Sequence, residues 1–327
     1  MANPFKSFLA PQMEQYGEYR QSLGYTATAI TWLRLLDRYL VMENVTTLKV
    51  LTPLFFIKMR TDLAIDQNTI NQVIDGLRGF FQYLVRIKFC QANPLTGVPR
   101  FKRNNIIPFI FSEHETEQLL EAAWQQVRRE NKQSFLGDMS CCMALQLLAR
   151  CGLRISEPLR LKVSDFRFDE RTIYIRKTKF RKDRLIPIPM DVANYVSDYL
   201  QLRKTLLPAD NQNLYLLACN PTKGLHAQRI RNYFHQARKE IGLTQTKQVI
   251  GNTNISAPTP HSLRHSFAVN TLRRVKERGD SPQNALPVLA VYMGHRMYSY
   301  TVYYLKLTDA DQHRNLIDFM TKYPFSP

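Results

Sequence analysis

A chain of 327 residues is longer than one ordinary helical domain and can bury two cores without disulfide or metal staples. Apolar residues make up 44% and charged residues 22%, a globular balance that excludes wholesale disorder. Lysine and arginine total 45 against 27 acids, a formal charge of +18, which asks for a polyanionic partner, nucleic acid ahead of an anionic membrane.

The N-terminal MANPFKSFLAPQMEQ lacks the apolar core and small-residue cleavage site of a signal peptide. Helical stripes follow at Ile30–Leu40 and, more weakly, Leu54–Leu63, punctuated by Gly24 and Pro53. The clearest stripe is Ile70, Val73, Ile74, Leu77, Phe80, Phe81, Leu84 and Ile87, which predicts a helix over 67–88. Residues 1–99 thus read as a four-helix domain. Asn93-Pro94, Gly97 and Pro99 then break the pattern, and Arg100, Lys102 and Arg103 make a basic linker over 100–108. Up to Pro108 there are 13 bases against 7 acids, and beyond it 32 against 20, so both halves are positive and both are expected on the same polyanion.

The second domain, 109–327, opens at a capping box, Ser112 with Glu115, followed by a buried face of Leu119, Leu120, Ala123 and Val127. Residues 139–151 predict a nearly all-apolar central helix. TIYIRK (172–177) and RLIPIP (184–189) predict a hairpin around a charged turn. Helices are expected at 191–205 and 227–241, a short strand at Tyr215–Ala218, a polar loop over 243–260, and helices from His261 on. The expected fold class is mainly α with one small β-sheet. No apolar run escapes an early Lys or Arg, so no membrane span is expected. The five cysteines, Cys90, Cys141, Cys142, Cys151 and Cys219, contain no CxxC pair and read as reduced thiols of a cytoplasmic protein.

The sequence has no Walker A loop, GxGxxG, HExxH or Cys/His array, so neither a cofactor nor a metal is expected. What it offers is an ordered set of cations, imidazoles and tyrosines. Arg154 follows the apolar helix and Gly152, with Glu157 one turn on to orient its forked donors toward a phosphate. The hairpin turn carries Lys179, Arg181 and Lys182, where a lysine can protonate a leaving oxygen. His261 and Arg264 stand at i, i+3 and share a helix face, and His265 follows one turn after His261. Gly294 predicts a helix end that exposes His295. Four tyrosines then fall within seven residues: Tyr298, Tyr300, Tyr303 and Tyr304. Taken singly, each element also reads as an ion pair, a solvated turn or an aromatic packing segment.

In order, these elements resemble the tyrosine recombinases, the family of phage integrases and Xer-type site-specific recombinases. The matching residues are Gly152-Leu153-Arg154-Ile155-Ser156-Glu157, Lys179 in the hairpin, His261-Ser262-Leu263-Arg264-His265, Met293-Gly294-His295, and Tyr304 nine residues after His295. The likeness spans about 110–310; the N-terminal helices fit a core-binding domain by position and composition. Lys177 and Lys182 compete with Lys179, and Tyr303 competes with Tyr304. The resemblance implies a helical core-binding domain joined to a mixed α/β catalytic domain. It implies a DNA strand transferase acting through a 3′-phosphotyrosyl bond, with Arg154, Lys179, His261, Arg264, His295 and Tyr304 catalytic and Glu157 and His265 in support. In that reading His261 takes the tyrosine proton, and Arg100, Lys102, Arg103, Arg181 and Lys182 contact DNA. The expected partner is double-stranded DNA with specific sites, bound by a homo-tetramer on two duplexes, in a cytoplasmic, nucleoid-associated protein that integrates or excises a mobile element. Strand passage of the type IB topoisomerase kind, a non-cleaving DNA-binding accessory protein and an RNA-binding helical protein are the alternatives.

Overall fold

The elements form where capping chemistry and apolar spacing agree, as the computed structural model shows over the residues it describes: 5–25, 31–102, 105–176, 183–250 and 253–308. The chain divides into two compact units, Met1–Asn105 and Ile106–Pro327.

The first unit holds α1 (Ala10–Ser22), α2 (Thr31–Met42), α3 (Pro53–Asp62) and α4 (Gln67–Arg86). Helix α4 starts where the Asp66 carboxylate accepts the N–H groups of Asn68 and Thr69. Its stripe from Ile70 to Leu84 is buried among Leu33, Leu36, Phe56 and Met59. Ile87, expected on that stripe, lies past the helix end and is exposed, because the chain turns there through Lys88 at φ +60°. Helix α1 has no clear stripe and buries only Met13, Tyr16 and Gly17. The start of the expected linker is not free: Asn71 pairs with both backbone groups of Phe101 at 2.9 Å, and Arg100 donates through Nε and Nη2 to Asp75 at 3.0 and 2.7 Å. Lys102 is exposed, and Arg103 lies outside the described residues.

The second unit centres on α6 (Lys132–Arg150), which is buried almost throughout from Leu136 to Ala149. It packs against α5 (Glu113–Gln125), α7 (Met190–Leu206), α8 (Ala227–Glu240) and α9 (Pro260–Glu277). The Ser112–Glu115 capping box at the start of α5 is formed on both sides. After α9 come α10 (Pro282–Met293) and a last described helix, α11, over 299–308. The expected central helix begins seven residues earlier than its apolar run, because the Asn131 side chain caps it by accepting from Ser134 N–H at 2.7 Å.

Two small sheets replace the single one expected. In the first, β2 (Phe166–Arg167), β3 (Thr172–Ile175) and β4 (Arg184–Pro187) run antiparallel, with Ile173 opposite Ile186 and both buried. In the second, β1 (Asn105–Ile107) joins β6 (Thr253–Ile255), which pairs with β5 (Gln248–Ile250). Strand β1 lies in the stretch read as linker, and β5 and β6 in the stretch read as loop. Three-residue strands carry little periodicity, and this sheet needs a partner about 145 positions away in the sequence. The strand expected at Tyr215–Ala218 is reduced to two isolated bridges, Lys162 with Tyr215 and Ala218 with Gly224. All five cysteines are free, and burial pushes the thiols of Cys141, Cys142 and Cys151 up to about 12, so these three act as core packing.

Candidate active site

The site is built on the ends of α6 and α10 and on the first turns of α9. Helix α6 stops at Gly152, whose φ of +58° turns the chain so that Leu153 is buried and Arg154 follows at the edge of the cluster. Helix α10 stops in the same way at Gly294, φ +62°. Three guanidiniums take the carbonyls exposed at that end: Arg184 Nε donates to Tyr292 O at 2.8 Å, Arg264 Nη2 to Met293 O at 2.6 Å and Arg154 Nη2 to Gly294 O at 2.8 Å. Cations at a helix C-terminus are favoured by the unpaired carbonyls and the helix dipole. Arg264 Nη1 also donates to Gly152 O at 2.6 Å, so one side chain, 2% exposed, ties the ends of α6 and α10 together.

A single buried carboxylate organises these cations. Glu157 accepts Arg154 Nη1 at 3.0 Å and the Arg154 backbone N–H at 2.9 Å. It also accepts a two-pronged bond from Arg184 Nη1 and Nη2 at 3.0 and 2.9 Å. Burial works to raise the Glu157 pKa, but the Arg184 bonds and charge outweigh it and hold the carboxyl below its ordinary range. Arg184, whose side chain is 8% exposed, is the functional candidate that sequence reading passed over as part of a charged turn. The available signal was its position at the start of an apolar strand, where an unpartnered guanidinium would be costly.

The imidazoles and the tyrosine complete the cluster. The rings of His261 and His265 meet edge to face at 4.5 Å, and the His295 ring stacks on Tyr304 with centroids 6.0 Å apart. Thr301 Oγ1 lies 2.8 Å from His295 Nδ1 and fixes that ring. The Tyr304 hydroxyl, on a residue 3% exposed, lies 3.0 Å from His265 Nδ1. His261 is exposed at the rim of the cluster, yet desolvation of its ring, then the Arg264 and Arg154 charges, push it down to about 4. Burial does the same to His295, also down to about 4, with Arg264, Arg154, Arg184 and His261 adding. These shifts favour the neutral form of all three rings, His265 included, and a neutral ring offers one donor and one acceptor. Burial raises the Tyr304 pKa, while Arg264 and Arg154 pull it down.

Arg154, Glu157, His261, Arg264, His265, His295 and Tyr304, drawn from segments up to 150 positions apart, thus meet in one cluster. Tyr303 does not join it, since its hydroxyl donates to Ile106 O at 2.6 Å, and Tyr298 and Tyr300 are exposed. Lys179, Arg181 and Lys182 lie outside the described residues. Among the described residues there is no group of three or more His, Cys, Asp or Glu able to hold a metal ion.

Chemically, forked cations beside a phenol and neutral imidazoles suit a tetrahedral anion attacked by the phenol oxygen. Residues 110–311 match the phage integrase family, a span that contains every member of this cluster. The chain belongs to the phage integrase family. It is a tyrosine recombinase, and its relatives carry that description. It is 32% identical over 305 residues, 92% of each chain, to the putative integrase/recombinase y4rE of Sinorhizobium fredii. It is 28% identical over 248 residues to the tyrosine recombinase XerC of Halalkalibacterium halodurans, covering 74% of this chain and 72% of that one. Two solved structures share the family's fold. A lambda integrase (75–356) dimer bound to a COC′ core site matches with TM-score 0.62 at 18% identity, over 89% of this chain and 96% of that one. XerH site-specific recombinase bound to palindromic difH substrate matches with TM-score 0.65 at 18% identity, over 94% and 83%. No described helix is long and apolar enough to cross a membrane.

The turn at Gly152 yields a stability prediction. A Cβ there would overlap Phe267 Cδ1, in a left-handed conformation that costs an L-residue about 1–2 kcal/mol before any clash. Gly152→Ala is expected to lower unfolding free energy by about 2 kcal/mol or more, read as a reduced denaturant midpoint at unchanged slope. An unshifted midpoint would show that the turn adapts freely.

Proposed function

We propose that this recombinase cuts and rejoins duplex DNA at specific sites with Tyr304 as nucleophile, in the integration or excision of a mobile element. The observation that carries this reading is the Tyr304 hydroxyl buried in the same cluster as Arg154 and Arg264. The phenol oxygen attacks a phosphodiester and forms a 3′-phosphotyrosyl bond. Charge then grows on the non-bridging oxygens, where Arg154 and Arg264 supply fixed, charged donors. His261 and His295, neutral, supply N–H donors to the same oxygens. Lys179 protonates the departing 5′ oxygen. The new bond retains the energy of the broken one, so a 5′-hydroxyl of a second strand reseals it without ATP.

Exchange between two duplexes requires four strand-cleaving subunits, so the working assembly is a homo-tetramer on paired sites. Its place is the cytoplasm, with the nucleoid. Arg100, Lys102, Arg103, Arg181 and Lys182 contact the DNA backbone. Arg100 forms a pair with Asp75, which is exchanged for a phosphate on binding.

The test is a pool of nicked suicide duplexes with random sequence around the nick, incubated with the full chain. Covalent adducts retained on a denaturing gel are sequenced and mapped. A tyrosyl adduct with a recurrent duplex sequence is the expected result; no adduct from a saturating pool sinks the reading. Affinity for the recovered duplex is expected to fall at least tenfold between 50 and 200 mM salt, since phosphate contacts release counterions. A flat salt response would remove the backbone-contact assignments.

A further inference from the structure

The side chain at hydrogen-bonding distance from the hydroxyl of the proposed nucleophile is His265, which family resemblance leaves in a supporting place. Its Nδ1 lies 3.0 Å from the Tyr304 hydroxyl; Tyr304 is buried and His265 half-buried. Helix α9 contributes His261 and Arg264 around the His265 ring, the turn after α10 contributes His295, and α11 contributes Tyr304 itself. His295 stacks on the face of the tyrosine ring and leaves the hydroxyl directed at Nδ1. We propose that His265 is a catalytic residue, the proton acceptor that takes the Tyr304 hydroxyl proton through Nδ1 as the phenol oxygen attacks phosphorus. The proposal rests on the reading of Tyr304 as nucleophile and moves the acceptor role from His261 to its neighbour one turn on.

The step balances as follows. The step uses the neutral His265 tautomer with its proton on Nε2, in which the Nδ1 lone pair accepts the Tyr304 O–H. The Tyr304 O–H bond breaks and the proton passes to Nδ1. The oxygen's electron pair forms the O–P bond, the P–O5′ bond breaks with its pair on O5′, and O5′ takes a proton from the general acid. Resealing runs the same transfers in reverse, and the imidazolium returns its proton to Tyr304.

The surroundings make this acceptor dependent on substrate. In the DNA-free protein, burial pushes His265 down to about 3, with His261, Arg264 and His295 adding to it. In that state the ring draws the phenol proton only weakly. A phosphodiester seated on Arg154 and Arg264 places negative charge beside the ring, offsets the Arg264 field and raises the ring's proton affinity. Activation of the tyrosine thus follows from binding of the phosphate it attacks.

Two measurements on the full chain test this. In DNA-free protein labelled with ¹³Cζ-tyrosine, the Tyr304 signal is identified by its loss in Tyr304→Phe. It is expected to move in His265→Ala, and an unmoved signal overturns the contact. The second measurement is single-turnover adduct formation on the nicked duplex recovered from the random pool. His265→Asn keeps an acceptor near the Nδ1 position but no basic nitrogen. It is expected to form adduct about 10²–10⁴-fold more slowly at neutral pH with duplex affinity unchanged. The deficit should shrink steeply as rising pH ionises the phenol without help. A wild-type rate in His265→Asn, or a deficit constant with pH, overturns the proposal alone. Absence of adduct from the wild-type chain removes the nucleophile reading and this proposal with it.

Discussion

Tyr304→Phe is expected to abolish covalent adduct formation, with the fold and DNA affinity retained. The substitution removes one oxygen and its hydrogen bond to His265 Nδ1, and the ring keeps its stacking on His295. Loss of one such bond costs about 0.5–1.5 kcal/mol, too little to unfold a protein of this size. Tyr303→Phe loses the bond to Ile106 O at a similar cost and should still form adduct. The pair of variants separates two adjacent tyrosines whose side chains leave helix α11 about 100° apart. Peptide mapping of the trapped wild-type adduct is the independent reading. Nucleotide attached to Tyr303, Tyr298 or Tyr300 would displace Tyr304 from its assigned role.

Arg264→Lys is expected to slow adduct formation by about 10²–10³-fold, the range found when one fixed donor to a developing oxyanion is removed. The guanidinium holds Gly152 O and Met293 O at 2.6 Å each and still has donors left for a phosphate. One ammonium nitrogen cannot span both carbonyls in that planar fork and also serve the substrate. The same change leaves at least one buried carbonyl unpaired, at about 1–3 kcal/mol, so a lower denaturant midpoint should accompany the kinetic loss. Burial, with Arg154 next, presses Arg264 below the usual guanidinium range, to about 9, which still leaves it charged at neutral pH. Duplex affinity should change little, because most of it comes from backbone phosphates away from the scissile one. Adduct formation at the wild-type rate would make Arg264 a purely structural tie.

The two outcomes read different parts of one arrangement. Arg154, Arg184 and Arg264 cap the end of α10, and Glu157 holds the first two in place. The donors proposed to meet the phosphate are thus set by the helix end that also sets His295. Loss of Glu157 would strand Arg184, buried and without its carboxylate, and loosen that helix end as well.

The sequence by itself determined much of this protein. Repeated apolar spacing marked α4, a capping box marked the start of α5, and alternation marked β3 and β4, because each signal is local and each residue's neighbours are its chain neighbours. Motif order marked Arg154, His261, Arg264, His295 and Tyr304 as one set, since residue type and spacing carry that chemistry. Only the tertiary structure decided the rest. The sheet of β1, β5 and β6 exists because strands too short to declare themselves find partners from distant parts of the chain. Arg184 became part of the site because folding buries Glu157, and a buried carboxylate draws every guanidinium within reach. Tyr304 was parted from Tyr303 by packing, because adjacent residues on a helix face different ways and which way is inward depends on α9, α10 and α11 meeting; His265, on the same face of α9 as His261, was singled out by the Tyr304 hydroxyl that folding brings to its Nδ1.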